Sequence, residues 1–127
     1  MNLKSLQTAL QDLQMGGLRY YEQLGSTNDL ALQWVQEEGV QDFSLVVANE
    51  QKAGRGRSGR DWQTPPDCAL AFSLLLLPSS DEAKHISLFT GLAALGISTA
   101  LEQRYALQPK IKWPNDILLH GKKVAGI

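Results

Sequence analysis

The stretch Phe43-Ser44-Leu45-Val46-Val47-Ala48-Asn49-Glu50-Gln51-Lys52-Ala53-Gly54-Arg55-Gly56-Arg57-Ser58-Gly59-Arg60-Asp61-Trp62 decides how this 127-residue chain is interpreted. Residues 43–48 are β-branched and apolar, which predicts a buried strand. Residues 51–67 are rich in Gly, Arg and Pro and lack any hydrophobic period, so we expect a long loop there. Residues 69–77 are apolar again and predict the next buried strand.

Toward the N-terminus, hydrophobic spacing predicts two helices and a strand. Leucines at helical spacing predict a helix over residues 3–13, and residues 18–24 predict a short strand. Ser26-Thr27-Asn28 carries side chains that cap helices, and a second helical pattern follows it. We expect Gly39 to end that second helix.

Toward the C-terminus, Ser79–Glu82 forms a capping-box pattern that predicts one long helix reaching Tyr105. Residues 110–113 alternate like a strand, and His120-Gly121 predicts a two-residue hairpin turn. The elements together predict an α+β class, with a mixed, mainly antiparallel sheet packed against helices. We expect residues 1–127 to be a single, truncated domain, because the sequence stops within a strand pattern.

Composition limits the classes of function. Apolar residues make up 43% and charged residues 20%, a globular balance, and 12 basic residues face 13 acidic ones. Without a basic excess we expect no nucleic-acid partner. Cys68 is the only cysteine, so an intrachain disulfide is excluded, and its strand pattern predicts a core position. No signal peptide or bilayer-length apolar run is evident, which predicts a cytoplasmic protein without a membrane partner.

The basic segment is the strongest indication of a binding site. Four basic residues fall within nine positions, 52–60, among glycines that let backbone N–H groups approach an anion. Arginine adds forked donors that match phosphate and carboxylate oxygens. A solvated, flexible loop would have the same composition, so composition alone leaves both interpretations open. The Gly-Lys-Ser/Thr ending of a P-loop is absent.

Three further groups carry candidate chemistry. Ser26-Thr27-Asn28 is favoured as a helix cap, although its hydroxyls and amide could also hydrogen-bond a neutral polar ring such as a ureido group. Lys112 precedes a tight turn and could neutralise growing negative charge, whereas spacing alone favours a surface lysine beside a core Trp113. Asn115-Asp116 also fits turn chemistry. Trp62 could stack on adenine or anchor the loop.

Taken in order, these segments resemble biotin–protein ligases. The matching runs are Ser26-Thr27-Asn28, residues 50–62, Lys112-Trp113-Pro114-Asn115-Asp116 and residues 122–127. The resemblance extends from about residue 20 to the end. The basic run with its trailing tryptophan is specific in combination with the Lys112–Asp116 run. The resemblance implies a class II synthetase-like fold of the biotin/lipoate ligase type.

The resemblance also implies roles for individual residues. The substrate-binding set would be Ser26, Thr27, Asn28, Gln51, Gly54, Arg55, Arg57, Trp62 and Lys112, with Ser26, Thr27 and Gln51 holding the biotin ring system. Gly54, Arg55 and Arg57 would meet the biotin carboxylate and the ATP phosphates. Arg57 and Lys112 would be the catalytic residues. Arg57, Trp62, Asn115 and Asp116 would contact the nucleotide, with Mg²⁺ near Asp116.

The implied reaction activates biotin with ATP and Mg²⁺ to biotinyl-5'-adenylate, releasing pyrophosphate. It then transfers biotin to a lysine of a carboxylase's biotin carboxyl carrier domain and releases AMP. The resemblance implies no tightly bound cofactor, and it does not decide between a monomer and a homodimer. We expect neither the N-terminal DNA-binding domain nor the C-terminal barrel of some members, and therefore no repressor role. The alternatives are a lipoate-type ligase or acyltransferase, an inactive fragment, and an RNA-binding module that uses the Gly/Arg loop.

Overall fold

A computed structural model describes all 127 residues, which form two compact units, Met1–Leu77 and Pro78–Ile127. The first unit contains α1 (Leu3–Leu10), β1 (Gly17–Leu24), α2 (Thr27–Trp34), β2 (Ser44–Arg55), β3 (Asp61–Thr64) and β4 (Ala71–Leu75). The second contains α3 (Ser80–Ala83), α4 (Phe89–Tyr105), β5 (Lys110–Lys112), β6 (Asp116–Leu119) and β7 (Lys122–Gly126). Short 3-10 turns lie at Arg57–Gly59 and Ile86–Leu88.

Strand β2 is the centre of the sheet in the first unit. It pairs in parallel with β1 along one edge, and on the other edge it pairs antiparallel with β4 and then with β3. Its apolar residues 45–48 are buried, as expected for a strand with neighbours on both edges, and α2 packs against β2 and β4. The predicted mixed, mainly antiparallel sheet with helices is confirmed.

The long loop predicted over residues 51–67 is wrong for most of its length. Strand β2 continues to Arg55, and the chain turns within 56–60 and returns as β3. A Cβ on Gly54 would lie 2.3 Å from the Trp62 carbonyl oxygen, so the two strands approach where only glycine fits. The glycines that suggested a loop therefore permit close strand pairing beside a register shift between Gln51 and Gly54.

Two helix ends differ from the prediction. Helix α2 ends at Trp34, and Gly39 lies in a later turn with a φ of +79°. The capping box of Ser79 and Glu82 is confirmed, but α3 ends at Ala83 and the chain leaves helical geometry at His85 (φ −113°, ψ 20°) before α4 begins. The prediction of one long helix from residue 79 to 105 is therefore wrong. The helical spacing of apolar residues continues through the break and so does not reveal it.

The second unit contains an antiparallel sheet of order β5–β6–β7. The predicted hairpin turn is confirmed, since His120 and Gly121 both adopt left-handed angles, with φ of +50° and +77°. Trp113 is not a core residue: it is 69% exposed, and its ring edge lies 3.0 Å from where a Cβ on Gly91 would be. In this sheet the fully buried side chain is that of Ile117, on β6.

Cys68 is exposed, so its predicted core position is wrong. Its backbone N–H donates to the Pro65 carbonyl across a turn, and β4 begins three residues later, at Ala71.

By length and composition alone, the helical segment Ile86–Tyr105 could cross a membrane. A core helix of a soluble protein would meet the same two criteria.

Candidate functional site

A chain of buried polar side chains lies at the start of α2. The Gln51 side-chain oxygen accepts from both the backbone N–H (2.8 Å) and the hydroxyl (3.0 Å) of Thr27. The Gln51 amide nitrogen donates to the Thr64 hydroxyl at 3.3 Å, which fixes which end of the amide faces which partner. Thr27 and Thr64 are only 4% and 2% exposed, so these bonds are made away from bulk water.

Ser73 extends this network from β4. Its hydroxyl lies 2.9 Å from the Thr27 hydroxyl and 2.5 Å from the Asn28 side-chain oxygen. One hydroxyl proton serves one of these acceptors at a time, so the group can re-orient when a ligand arrives. The network consists of neutral donors and acceptors only.

The sequence favoured capping as the role of Ser26, and the structure contradicts that preference. Ser26 occupies the N-cap position of α2, but its side chain makes no capping hydrogen bond. The Thr27 backbone N–H at this helix start is satisfied by Gln51 from β2 instead. Ser26 is 6% exposed and therefore presents a buried hydroxyl beside the polar network.

Sequence reasoning missed Thr64 and Ser73. Ser73 interrupts an otherwise apolar strand run, and a polar residue at a buried strand position needs a hydrogen-bonding partner. That interruption was the available signal. Thr64 carried no such signal, because its burial depends on β3 pairing with β2.

The end of β2 is joined to α2 by an ion pair. The Arg55 guanidinium donates twice to the Asp29 carboxylate, with one of the two N–O distances at 2.7 Å. The hydrogen bonds from Arg55 hold the pKa of Asp29 below its usual value and raise the pKa of Arg55. The family resemblance implied that Arg55 meets the ligand's anionic groups; that contact stays a prediction and would require the guanidinium to leave Asp29.

The Gly/Arg turn spans Gly56–Arg60 and is closed by the Gly56 N–H, which donates to the Arg60 carbonyl at 2.7 Å. Ser58 and Gly59 adopt left-handed angles, with φ of +60° and +70°. Arg57 is exposed on this turn, and Trp62 is half-buried on β3, where it pairs with Gly54. The turn thus displays an arginine directly after the strand that carries Gln51.

The second unit, described by itself, contains the other predicted residues. Lys112 is exposed at the end of β5, paired in register with Asp116. The Asp116 carboxylate lies 2.6 Å from the Lys123 ammonium. Asn115 exchanges hydrogen bonds with Ile127: its carbonyl accepts at 2.8 Å and its side-chain amide donates at 3.4 Å. The Asn115 side chain therefore bonds to the backbone 12 residues further along the chain, and not to the local backbone that turn chemistry would involve.

The chain has no group of three or more His, Cys, Asp or Glu side chains placed to hold a metal ion. Asp116, the carboxylate predicted near magnesium, is engaged by Lys123. These side chains do not by themselves build a resident metal site.

The arrangement is suited to a small molecule with a neutral polar head and an anionic group. Buried hydroxyls and an oriented amide can hydrogen-bond the head, and the glycine-rich turn beyond Gln51 offers cationic side chains. The chain matches the Biotin/lipoate A/B protein ligase family over residues 20–127. It belongs to this family.

The curated relatives of this family member are biotin ligases. The bifunctional ligase/repressor BirA of Bacillus subtilis is 39% identical over 110 residues, which cover 87% of this chain and 33% of that protein. The biotin–[acetyl-CoA-carboxylase] ligase of Paracoccus denitrificans is 43% identical over 107 residues, covering 80% and 42%. The chain thus spans well under half the length of these relatives.

Solved structures agree with the fold of this family member. The biotin protein ligase from Aquifex aeolicus in complex with biotin and ATP has a TM-score of 0.72 and 33% identity, over 87% of this chain and 44% of that one. The Leishmania major biotin protein ligase in complex with biotin has a TM-score of 0.67 and 29% identity, over 86% and 49%. The mixed sheet with helices is therefore the biotin protein ligase catalytic fold, of which this chain corresponds to about half.

Proposed function

We propose that this chain is the biotin-binding part of a biotin–protein ligase, which converts biotin and ATP to biotinyl-5'-adenylate and then transfers biotin to a lysine of a biotin carboxyl carrier protein. The observation that carries the proposal is the buried network of Thr27, Gln51, Thr64 and Ser73 at the root of the Gly/Arg turn. Membership of the family supports the reaction class.

The network suits the ureido ring of biotin for a chemical reason. A ureido group is neutral and has one carbonyl acceptor and two N–H donors, so it needs partners of both kinds. Thr27 and Ser73 supply hydroxyls that can donate or accept, and Gln51 supplies an amide oriented by Thr64. Burial makes each of these partners selective, because a ligand that left them unpaired would bear the desolvation cost.

The first step needs no general base, because the biotin carboxylate is already ionised. Its oxygen attacks the α-phosphorus of ATP, a new O–P bond forms, and pyrophosphate leaves. In the second step the amine of the carrier lysine attacks the biotinyl carbonyl carbon, AMP leaves, and the amine's proton is released. The barrier in the first step arises from bringing two anions together, so positioning and positive charge are the contributions required.

The charged residues are proposed to supply that screening. Arg57 on the turn would meet the carboxylate and then the adenylate phosphate, and Lys112 would contact the reacting carboxylate and the α-phosphate. Trp62 would order the turn over the ligand. Asn115 and Asp116 would support the nucleotide, and Mg²⁺ would enter with ATP as part of the substrate.

The surroundings of the reaction are also proposed. The acceptor would be a carboxylase's carrier domain, in line with the Paracoccus relative, a biotin–[acetyl-CoA-carboxylase] ligase. We propose a cytoplasmic location without a nucleic-acid or membrane partner, since the chain has a formal net charge of −1 and a single cysteine. Lipoate is the rival acid, because the family name covers both ligase types.

The first test is calorimetric titration of biotin into the full-length protein that contains this sequence, with lipoate as the matched acid. We expect biotin to release heat on binding and lipoate to release none. Addition of Mg²⁺ and ATP to the biotin-bound protein should then yield biotinyl-5'-adenylate, detected by mass spectrometry. Heat from lipoate but not from biotin would replace the proposal with a lipoate ligase. Binding of neither acid would contradict both.

The catalytic assignment is tested by Arg57→Ala and Lys112→Ala. Each should lower the rate of biotin-dependent pyrophosphate release, or hasten loss of the adenylate, by about 100-fold or more, because each removes charge stabilisation at the reacting atoms. Arg104→Ala, at the end of α4, is a matched loss of an exposed cation and should leave the rate intact. Normal adenylate formation and retention in both variants would remove these residues from the mechanism.

A further inference from the structure

Three contacts join the segment before and within the start of α2 to the end of β2. The Ala53 backbone N–H donates to the Gly25 carbonyl at 2.8 Å. Thr27 donates to the Gln51 side chain, also at 2.8 Å. The third contact is the two-pronged ion pair between Asp29 and Arg55. Alternate residues 25, 27 and 29 are thus each attached to the stretch 51–55.

The ion pair lies where this attachment meets the Gly/Arg turn. Arg55 is the last residue of β2, and the turn begins with the next residue. Arg55 also pairs with Asp61, the first residue of β3, so holding Arg55 holds both stems of the turn. The other side of the pair, Asp29, lies in the first turn of the helix that carries Thr27.

We propose that Asp29 is a positioning residue: through Arg55 it fixes the stems of the Gly/Arg turn against the helix that holds the polar head of the ligand. This inference rests on the proposed function for its consequence, the coordination of the two parts of the substrate site. Its structural part concerns only Asp29, Arg55 and the turn.

The chemistry of the pair supports a positional role. A guanidinium that donates twice to one carboxylate fixes direction as well as distance, which a single-point contact does not. The two side chains are 47% and 56% exposed, and exposed pairs add little to global stability.

Trypsin provides the first test, because the turn contains its own cleavage sites after Arg57 and Arg60. Without ligand, Asp29→Asn should raise the cleavage rate at these two sites about two- to fivefold, since the turn loses one attachment. Rates are normalised to those of a peptide of residues 51–64, which carries Arg55→Asp where that change is tested. Glu37→Gln is the matched control, because it breaks another two-pronged arginine pair, with Arg19, at the opposite end of α2.

A charge exchange separates positioning from a general loss of structure. Asp29→Arg combined with Arg55→Asp restores an ion pair of reversed polarity and should return cleavage toward the native rate, whereas each single change should not. Cleavage that is equally slow in Asp29→Asn and in the native protein would overturn the proposal. Failure of the exchange to restore protection would overturn it as well.

Kinetics provide the second test. In biotin-dependent pyrophosphate release, Asp29→Asn should raise the KM for biotin about two- to fivefold and leave kcat nearly unchanged. A lower KM in Asp29→Asn would overturn the proposal, because it would mean that Asp29 competes with the ligand for Arg55. If the native protein releases no pyrophosphate with biotin, the proposed function fails, and trypsin still decides the role of the pair.

Discussion

The two ends of α2 are held by the same kind of interaction in different surroundings. At the C-terminal end, the Arg19 guanidinium lies 4.0 Å from the centre of the Trp34 ring and donates twice to Glu37. At the N-terminal end, Arg55 donates twice to Asp29 beside the buried network of Thr27.

The difference lies in what each pair is attached to. Arg19 is covered by an aromatic ring, and that ring also packs against Gly17 of β1, so this end links charge to apolar contact. Asp29 and Arg55 adjoin polar groups and a turn. We infer that the C-terminal end of α2 contributes stability and that the N-terminal end contributes geometry.

Gly54→Ala should have the largest effect. Gly54 lies on β2, in the stretch that is attached to the N-terminal end of α2. The new Cβ would lie 2.3 Å from the Trp62 carbonyl oxygen and 2.9 Å from the Gln51 amide nitrogen, so the strands and the Gln51 side chain must move. We expect kcat/KM for biotin to fall about 100-fold, the loss typical of a displaced binding group. Gly25→Ala is the control, since its Cβ would meet nothing within 4 Å. Equal activity of the two variants would contradict the close fit.

Trp34→Ala should act at the other end and on stability alone. It removes the ring from Arg19 and from Gly17, and we expect the free energy of unfolding to fall by about 2 kcal/mol, less than for a fully buried tryptophan. Urea denaturation measures this change. Biotin affinity, measured under conditions in which the variant is folded, should stay within about twofold of the native value. A larger loss of affinity would show that the two ends are not separate.

Thr27→Val keeps the shape of the side chain and removes the hydroxyl. The Gln51 oxygen then loses one of its two donors, and Ser73 loses a partner, so the amide is less firmly oriented. We expect the Kd for biotin to rise about tenfold, as for one unmade buried hydrogen bond. Thr27→Ser should retain native affinity. Thr8→Val on α1, where the hydroxyl bonds only the Lys4 carbonyl, should change nothing. Native affinity in Thr27→Val would exclude this hydroxyl from the site.

The smallest effect concerns acid pH. The hydrogen bond from Arg19 lowers the pKa of Glu37 below its ordinary value of 4.5 in the folded protein. A carboxyl whose pKa is lower when folded stabilises the fold above the unfolded pKa, and that contribution is lost as the pH falls through the folded pKa. Glu37→Gln should therefore lower Tm slightly at pH 7 and flatten its decline below about pH 4.5. An identical pH profile in both proteins would show that the pair contributes no stability.

Local patterns predicted elements correctly where one short segment contains all the information. His120-Gly121 supplies the left-handed angles of its own turn, and Ser79 with Glu82 forms its own capping box. The prediction failed where a partner is distant. Ser26 precedes a helix like a cap, yet the N–H of Thr27 is taken by Gln51, 24 residues away.

The candidate site divides in the same way. Gln51, Thr27 and Arg57 were selected from sequence, whereas Thr64 and Ser73 were found only once β3 and β4 were paired with β2. The partner of Arg55 is equally non-local, because Asp29 lies 26 residues before it. The spacing of residues in the sequence does not indicate which carboxylate of a distant helix an arginine at a strand end will pair with.

The sequence by itself determined the family, the positions of most helices and strands, and the basic turn, because residue type, spacing and backbone preference act over a few residues. Tertiary structure alone decided that the glycine-rich run is a close strand pair, that a helix start is satisfied by a glutamine from β2, and that Asp29 holds Arg55. The physical reason is that hydrogen bonds and ion pairs depend on distances across the sheet, which strand register sets and local propensity does not.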